Sequence, residues 1–240
     1  MRPLIGTSLK MNFTSSEAAA YFDALRPMVA PLASCELFVL PPFTSIWVAR
    51  DRLRDSNVAW GGQDVHAADA GAHTGDVSAP MLADLGCTFV EVGHSERRRD
   101  HGESDELIAH KVRQVLRHHM TPIICVGEPR PDSPEAALHH VLRQARAGMS
   151  LAPEKDLARV VIAYEPVWAI GEGAAAADPA HISAVHRGLH ELGARVIYGG
   201  NVDPLTAGPI LSQHGVDGLF VGRAALDPKG FAAIARLTSS

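Results

Sequence analysis

Short apolar runs alternate with longer amphipathic stretches along this chain, and the runs predict β-strands. Each run is apolar over most of its length, as expected of parallel strands that are buried on both faces. The predicted strands are residues 4–9, 37–40, 58–60, 88–92, 121–126, 160–164, 196–198 and 218–221.

The stretches between these runs predict helices. Residues 15–17 (Ser-Ser-Glu) are typical of a helix start, and an apolar stripe follows over residues 18–29. Residues 104–119 carry apolar side chains at helical spacing along one face. A further helix is predicted to begin at Asp178 and Pro179, because proline is favoured at the first helical position.

Eight strand–helix repeats within 240 residues predict an α/β fold, the closed (β/α)₈ TIM barrel. Repeated βα units imply parallel strands that are joined by right-handed crossovers. No linker-like segment divides the chain, and residues 130–134 are interpreted as a stiff loop. Residues 1–240 are therefore expected to form a single domain.

Composition and charge narrow the classes of function. The formal net charge of −5 argues against a nucleic acid or an anionic membrane as the main partner. No apolar stretch reaches the length of a membrane span. The three cysteines, Cys35, Cys87 and Cys125, are far apart and do not form a disulfide framework, so we expect a cytoplasmic protein.

Residues that follow the predicted strands are the candidates for chemistry, because active residues in such barrels lie beyond the carboxyl ends of the strands. Lys10 could bind a phosphate or stabilise negative charge, or it could be a solvated strand-end lysine. His94 precedes a short helical turn, whose N-terminus favours a neutral imidazole that could polarise a carbonyl. A structural histidine is the alternative interpretation.

Glu165 follows the sixth strand at the mouth of an apolar barrel. Desolvation there would raise its pKa and make it a usable base. Pro166, Gly171 and Gly173 follow it and indicate a lid with hinge points. A carboxylate at the rim beside a flexible loop is the alternative.

Glycines follow the last two strands, in residues 198–202 and 221–224. They let backbone N–H groups approach an anion, and barrels of this kind often bind phosphate at this position. Arg223 is unusual there, because the dipole of a helix start repels a cation. An anionic ligand or a neighbouring carboxylate would remove that conflict.

Taken together, these residues resemble the triosephosphate isomerase family over essentially the whole chain. The matching motifs are residues 10–12 (KMN), 92–98 (VGHSERR), 163–171 (AYEPVWAIG) and 198–200 (YGG). The resemblance implies an enzyme that isomerises a small sugar phosphate through an enediolate, with no cofactor and no metal ion. It also implies that Glu165 moves the proton, that neutral His94 polarises the carbonyl oxygen, and that Lys10 offsets negative charge with Glu96 as its supporting carboxylate.

The same resemblance implies the rest of the site. Gly171, Asn201 and Gly222 would meet the phosphate, largely through backbone N–H groups, while residues 166–177 would close as the lid. Residues 71–75 resemble a loop that docks into a second subunit, so we expect a homodimer through the loop around Thr74.

Several residues depart from the family's usual pattern, and they surround the substrate. Ser8 stands where asparagine is usual, Leu9 replaces tryptophan, Asn201 replaces serine and Arg223 replaces glycine. Ser8 leaves room for a larger substrate. We also expect Arg223 to bind substrate and to pair with Glu172 of the altered lid.

Residues 6–12, 66–71 and 218–223 resemble the erythrulose-phosphate isomerase branch of the family. The expected reaction is therefore conversion of L-erythrulose 1-phosphate to D-erythrulose 4-phosphate. Isomerisation of triose phosphates is the alternative. A barrel that only binds sugar phosphate, or one with an unrelated chemistry such as a lyase, is more remote.

Three further signals receive structural interpretations. His181, His186 and His190 have helical spacings and are expected on a solvated helix face rather than around a metal ion. Residues 97–99, all arginine, are expected in a salt-bridge network. Cys125 is expected to pack inside the barrel rather than act as a nucleophile.

Overall fold

Each predicted apolar run forms a β-strand in the computed structural model, which describes residues 1–171 and 176–239. The ends differ from the predicted ones by two residues at most, because the strands end where the ladder hydrogen bonds end. The strands are β1 Leu4–Ser8, β2 Glu36–Leu40, β3 Val58–Gly62, β4 Phe89–Val92, β5 Thr121–Val126, β6 Val161–Tyr164, β7 Arg195–Tyr198 and β8 Gly218–Val221.

The strands are all parallel and close into a barrel in chain order, with β8 pairing back to β1. Leu4, for example, lies opposite Glu36 on one side and Gly218 on the other. The predicted (β/α)₈ TIM barrel is therefore confirmed.

Helices surround the barrel and join its strands. In the described residues they are α1 Ser15–Val29, α2 Ile46–Leu53, α3 Ala79–Asp84, α4 Ser95–His101, α5 Asp105–Arg117, α6 Pro134–Met149, α7 Pro179–Leu189, α8 Ala207–Leu211 and α9 Pro228–Arg236. None of these helices is long and apolar enough to cross a membrane.

The predicted helix starts agree with the caps. The side chain of Thr14 accepts a hydrogen bond from the N–H of Glu17, and Glu17 returns the bond as in a capping box. Ser104 caps α5 and Asp178 caps α7, each through its own side-chain oxygen. Polar capping residues therefore determine where these helices begin.

Strand alternation divides the apolar side chains between two cores. One cluster fills the barrel interior and includes Leu4, Phe38, Cys125 and Phe220. The other lies between the strands and the helices and includes Ile5 and Val39. Successive residues on a strand point to opposite faces, so a residue's position in this alternation decides whether it enters the barrel.

One expectation for α7 is wrong. His186 is 0% exposed, so His181, His186 and His190 do not form a solvated face. His186 and His190 hydrogen-bond to the carbonyl of Gly215, and His181 contacts the hydroxyl of Tyr164. His181 and His186 lie on α7 and His190 directly follows it, and each of the three rings hydrogen-bonds to a neighbouring strand or loop through one of its nitrogens.

Candidate active site

A pocket of about 640 Å³ opens at the carboxyl ends of the strands. Its lining contains every residue that the sequence assigned to catalysis or to substrate binding. These are Ser8, Lys10, His94, Glu96, Glu165, Gly171, Asn201, Gly222 and Arg223. A pocket of this size is ample for a small phosphorylated sugar.

Glu165 lies directly after β6 and is 5% exposed. Its backbone N–H donates to the carbonyl of Val126, which fixes the position of the residue against β5. A Cβ atom on Gly199 would lie 2.7 Å from Glu165 Oε1, so glycine is required for the carboxylate to lie against this backbone. Burial raises the pKa of Glu165 well above its usual value, which gives a carboxylate more basic than an exposed one.

His94 is both the N-cap of α4 and a wall of the pocket. Its Nδ1 accepts a hydrogen bond from the N–H of Glu96, which leaves the proton of the neutral ring on Nε2. Nε2 lies 3.3 Å from Glu165 Oε2 and faces the pocket. Burial, and then the charge of Lys10, lower the pKa of His94 to about 4. The ring is therefore neutral at pH 7 and can donate a hydrogen bond to a substrate oxygen.

Lys10 lies just beyond β1 in an unusual backbone conformation, with φ of 51°. Its carbonyl accepts a hydrogen bond from Gln63, and its ammonium lies 2.8 Å from Glu96 Oε1. Burial alone would lower the pKa of Lys10, but the hydrogen bond to Glu96 and the charge of Glu165 outweigh burial and raise it. Lys10 thus remains a cation at the pocket wall.

The anion-binding candidates lie on the loops after β6, β7 and β8, which also line the pocket. Gly171 has a φ of 109°, which favours glycine, and it lies at the end of the described part of this loop. Gly222 immediately precedes a short 3₁₀ helix, Arg223–Leu226, and Asn201 follows β7. The predicted partner of Arg223, Glu172, lies outside the described residues.

Glu91 is a pocket residue that the sequence analysis did not select. It lies on β4 and is 2% exposed, and its side chain lines the pocket. Ser8 hydrogen-bonds to its carboxylate, and Cys125 Sγ lies 3.6 Å from Oε1. A signal was present in the sequence, because a glutamate within an otherwise apolar strand is rarely buried without a role.

Three further predictions concern the arginines of residues 97–99, the thiol of Cys125 and the loop around Thr74. Arg97 and Arg98 pair with Glu103 and Asp105, at 2.8 Å and 2.6 Å, as expected of a salt-bridge network. Burial raises the pKa of the Cys125 thiol well above its usual value, so the thiol stays protonated. The loop around Thr74 is exposed beyond β3.

Two groups of side chains in the described residues bring metal-ligand types of atom within 4.8 Å of one another. One is His66, His73 and Asp76 in the exposed loop after β3, and the other is Glu91, His94 and Glu165 in the pocket. We assign a metal ion to neither group. The first lies in an exposed loop outside the pocket lining, and the second consists of pocket side chains that are candidates for proton transfer.

The geometry supports proton transfer beside a carbonyl. A buried carboxylate, a neutral imidazole N–H and an ammonium line the same pocket, and so do the glycine-rich turns after β7 and β8. These are the parts needed to remove a carbon-bound proton, to stabilise the resulting oxyanion, and to hold an anionic substrate.

Comparisons with known proteins extend over the whole barrel. The family model described as "Triosephosphate isomerase" matches residues 3–238. The triosephosphate isomerase of Thermus thermophilus is 42% identical to this chain, with 98% of each covered. That of Corynebacterium diphtheriae is 43% identical, with 97% of this chain and 95% of the relative covered.

A solved structure gives the same result. The crystal structure of triosephosphate isomerase from Bartonella henselae matches this chain with a TM-score of 0.87 and 32% sequence identity, over 100% of both chains. The expected erythrulose-phosphate branch finds no support among these relatives, all of which are described as triosephosphate isomerases.

Proposed function

This chain belongs to the triosephosphate isomerase family, and we propose that it interconverts glyceraldehyde 3-phosphate and dihydroxyacetone phosphate. The proposal rests on one observation in particular. The buried Glu165 lies 3.3 Å from the Nε2 atom of a neutral His94, in a pocket that also contains Lys10. The relatives described as triosephosphate isomerases favour the three-carbon substrate.

The reaction needs only proton movements by these side chains. Glu165 removes a proton from the carbon beside the carbonyl, and the electron pair moves to the carbonyl oxygen to give an enediolate. His94 Nε2–H donates a hydrogen bond to that oxygen, and Lys10 offsets its negative charge. His94 then passes its Nε2 proton to that oxygen and takes the proton of the neighbouring hydroxyl group. Glu165 returns its proton to the neighbouring carbon, the second oxygen becomes the carbonyl, and the enzyme regains its starting protonation.

The substrate phosphate would lie on the glycine-rich side. Backbone N–H groups at Gly171, Asn201 and Gly222 approach an anion there without obstruction from side chains. Arg223 adds a positive charge at the same edge of the pocket.

We expect Arg223→Gly to raise KM about tenfold with little change in kcat, because an exposed charge contributes to binding in the ground state and the transition state alike.

A four-carbon ketose phosphate is the second candidate substrate, and Ser8 favours it. The side chain of Ser8 is small and lines the pocket beside Glu91. A hydroxymethyl group on a longer substrate would fit at this point and could hydrogen-bond to the Ser8 hydroxyl. The enediolate would then form between the two middle carbons of the substrate.

The test is turnover of glyceraldehyde 3-phosphate and L-erythrulose 1-phosphate by the purified protein, side by side. We expect the higher kcat/KM on the triose phosphate. A higher kcat/KM on the tetrulose phosphate would make the second candidate the function. Binding of either substrate without turnover would replace both proposals by a sugar-phosphate-binding protein.

The variant Ser8→Asn tests the steric argument. An added amide should lower kcat/KM for the four-carbon substrate more than for the three-carbon substrate. An unchanged ratio of the two values would show that Ser8 does not select by size. Ser56→Asn, which changes a serine beside β3 at the opposite end of the barrel, is the matched control.

We also propose a homodimer through the loop around Thr74. Exposed apolar side chains follow the two strands that precede this loop in the barrel: Met11, which is 97% exposed, after β1, and Phe43 and Trp47 after β2. A second copy would cover this apolar rim. Thr74→Arg should convert the dimer to a monomer in light scattering, and a wild-type monomer would refute the proposal.

A further inference from the structure

The side chain of Glu91 enters the barrel interior. On β4, Phe89 belongs to the interior core and Val90 to the outer core, so alternation turns Glu91 inward. Ser8 and Cys125 turn inward by the same rule from β1 and β5. Glu91 therefore lies at the floor of the pocket, above the apolar layer that contains Phe38 and Phe89.

Glu91 and Glu165 lie close enough to interact strongly. A carboxylate oxygen of each lies within 4.8 Å of the other, and both lie within that distance of a ring nitrogen of His94. Both glutamates are almost completely buried. Two negative charges this close in a buried site repel each other strongly, so the pair retains a proton at a pH where exposed carboxylates are ionised.

The other groups around Glu91, in the part of the chain that the structure describes, do not neutralise a second negative charge. Lys10 lies nearby after β1, but its ammonium is already paired with Glu96 at 2.8 Å. Cys125 on β5 is a protonated thiol, so it offers only a weak hydrogen bond. Ser8 on β1 offers one hydroxyl.

His94 brings no charge either, because its buried ring is neutral. Among the described residues, the other charged groups that act on both glutamates are Lys10 and Glu96, and these two are paired with each other. Retaining one proton on the buried pair leaves it with a single negative charge instead of two.

We propose that Glu91 and Glu165 act as a carboxyl pair that holds one proton, and that this proton lies on Glu91 in the reactive state. Glu165 is then the carboxylate that accepts the carbon-bound proton. In the enediolate intermediate both glutamates are neutral, and return of the proton from Glu165 to carbon restores the starting state. An ionised Glu91 would add a negative charge beside the enediolate and slow its formation.

The inference rests on the proposed isomerase activity, and it makes Glu91 a further residue of that reaction. It predicts a loss of activity as the pair gives up its last proton. Burial raises the pKa of Glu91 to about 7, so this loss is centred near neutral pH and is complete above it.

The test is the pH profile of kcat/KM for the wild type and for Glu91→Gln on the same substrate. Glutamine has the shape of a neutral glutamic acid but cannot ionise. We expect the wild type to lose about tenfold in kcat/KM between pH 6.5 and 8.5, and the variant to lose much less. Glu36→Gln, at the opposite end of the barrel, should keep the wild-type profile.

Infrared difference spectroscopy provides a readout that needs no turnover. The wild type at pH 7 should show the carbonyl band of a buried carboxylic acid, and Glu91→Gln should lack it. Absence of the band in the wild type, or superimposable pH profiles for the two proteins, would overturn the inference. Absence of wild-type turnover on both substrates would instead overturn the proposed function, and the infrared band would still test the carboxyl pair.

Discussion

Two buried clusters of ionisable side chains in this barrel differ in whether their carboxylates are balanced by cations. Behind the pocket, Lys111 Nζ lies 2.6 Å from both Asp64 and Glu103, and Arg97 lies within 2.8 Å of the same two carboxylates. Two cations there face two anions. In the pocket, Glu91 and Glu165 face each other, and Lys10, whose charge acts on both, is paired with Glu96.

The pKa values of Glu103 and Glu165 differ in the direction expected from this difference in charge. Burial would raise the pKa of Glu103, but its hydrogen bond to Lys111 and the two cations outweigh burial and lower it. For Asp64 burial outweighs the same cations, so its pKa is raised. In the pocket burial and repulsion act together on Glu165. A buried carboxylate thus serves structure where cations balance it and proton transfer where they do not.

The largest effect is expected from Glu165→Gln. Removing the base should lower kcat by about 10²–10⁴-fold, because general base catalysis supplies about that factor. The stability of the protein should not fall, since a buried carboxylate with a raised pKa is replaced by a neutral group of the same shape. Stopped assays at high enzyme concentration and urea unfolding measure the two quantities, and a variant with near wild-type kcat would contradict the assignment.

Breaking the balanced cluster should affect stability instead. Lys111→Met leaves Asp64 and Glu103 short of a cation in a buried site, and we expect a loss of about 3–5 kcal/mol in the free energy of unfolding. Urea unfolding at fixed protein concentration measures it. Arg99→Ala, which removes an exposed ion pair with Asp100, is the control and should leave the unfolding midpoint unchanged. An equally small change in Lys111→Met would remove the distinction between the two clusters.

The smallest expected effect is the change in the free energy of unfolding with pH that results from ionisation of Glu91. The pKa of Glu91 rises from 4.5 in the unfolded chain to about 7 in the folded protein, so the folded state holds the proton more tightly. The wild type therefore loses stability as the pH rises from about 4.5 to about 7, and Glu91→Gln does not. We expect the variant to be about 1–3 kcal/mol more stable at pH 8 and equal to the wild type at pH 4.5. A difference that is independent of pH would point to packing rather than to ionisation.

Much of the barrel could be predicted from the sequence, because strands buried on both faces appear as continuous apolar runs. The runs at 121–126 and 218–221 match the observed strands without adjustment. The orientation of side chains was harder to predict. Glu91 was overlooked because only residues after each strand were considered, and a short run does not reveal which of its residues turn inward.

The residues of the site could be predicted from the sequence only where they belong to a motif of the family. Lys10 and Glu96 are 86 residues apart, and their ion pair was expected from the family resemblance rather than from any local pattern. The positive φ of Lys10 could not be predicted from the residue type, since lysine does not favour this backbone conformation. The inward face of α7 was assigned wrongly because histidine is compatible with both exposed and buried positions.

Closure of the barrel by β8 against β1 has a consequence for how the protein acquires activity. The residues that would act on one substrate molecule follow β1, β4 and β6, so a fragment that ends after β4 contains Lys10 and His94 but no base. During synthesis or refolding the catalytic groups come together late, because bringing distant strands together costs conformational entropy. Recovery of turnover after dilution from denaturant would therefore report ring closure, and it should lag behind the recovery of helical circular dichroism.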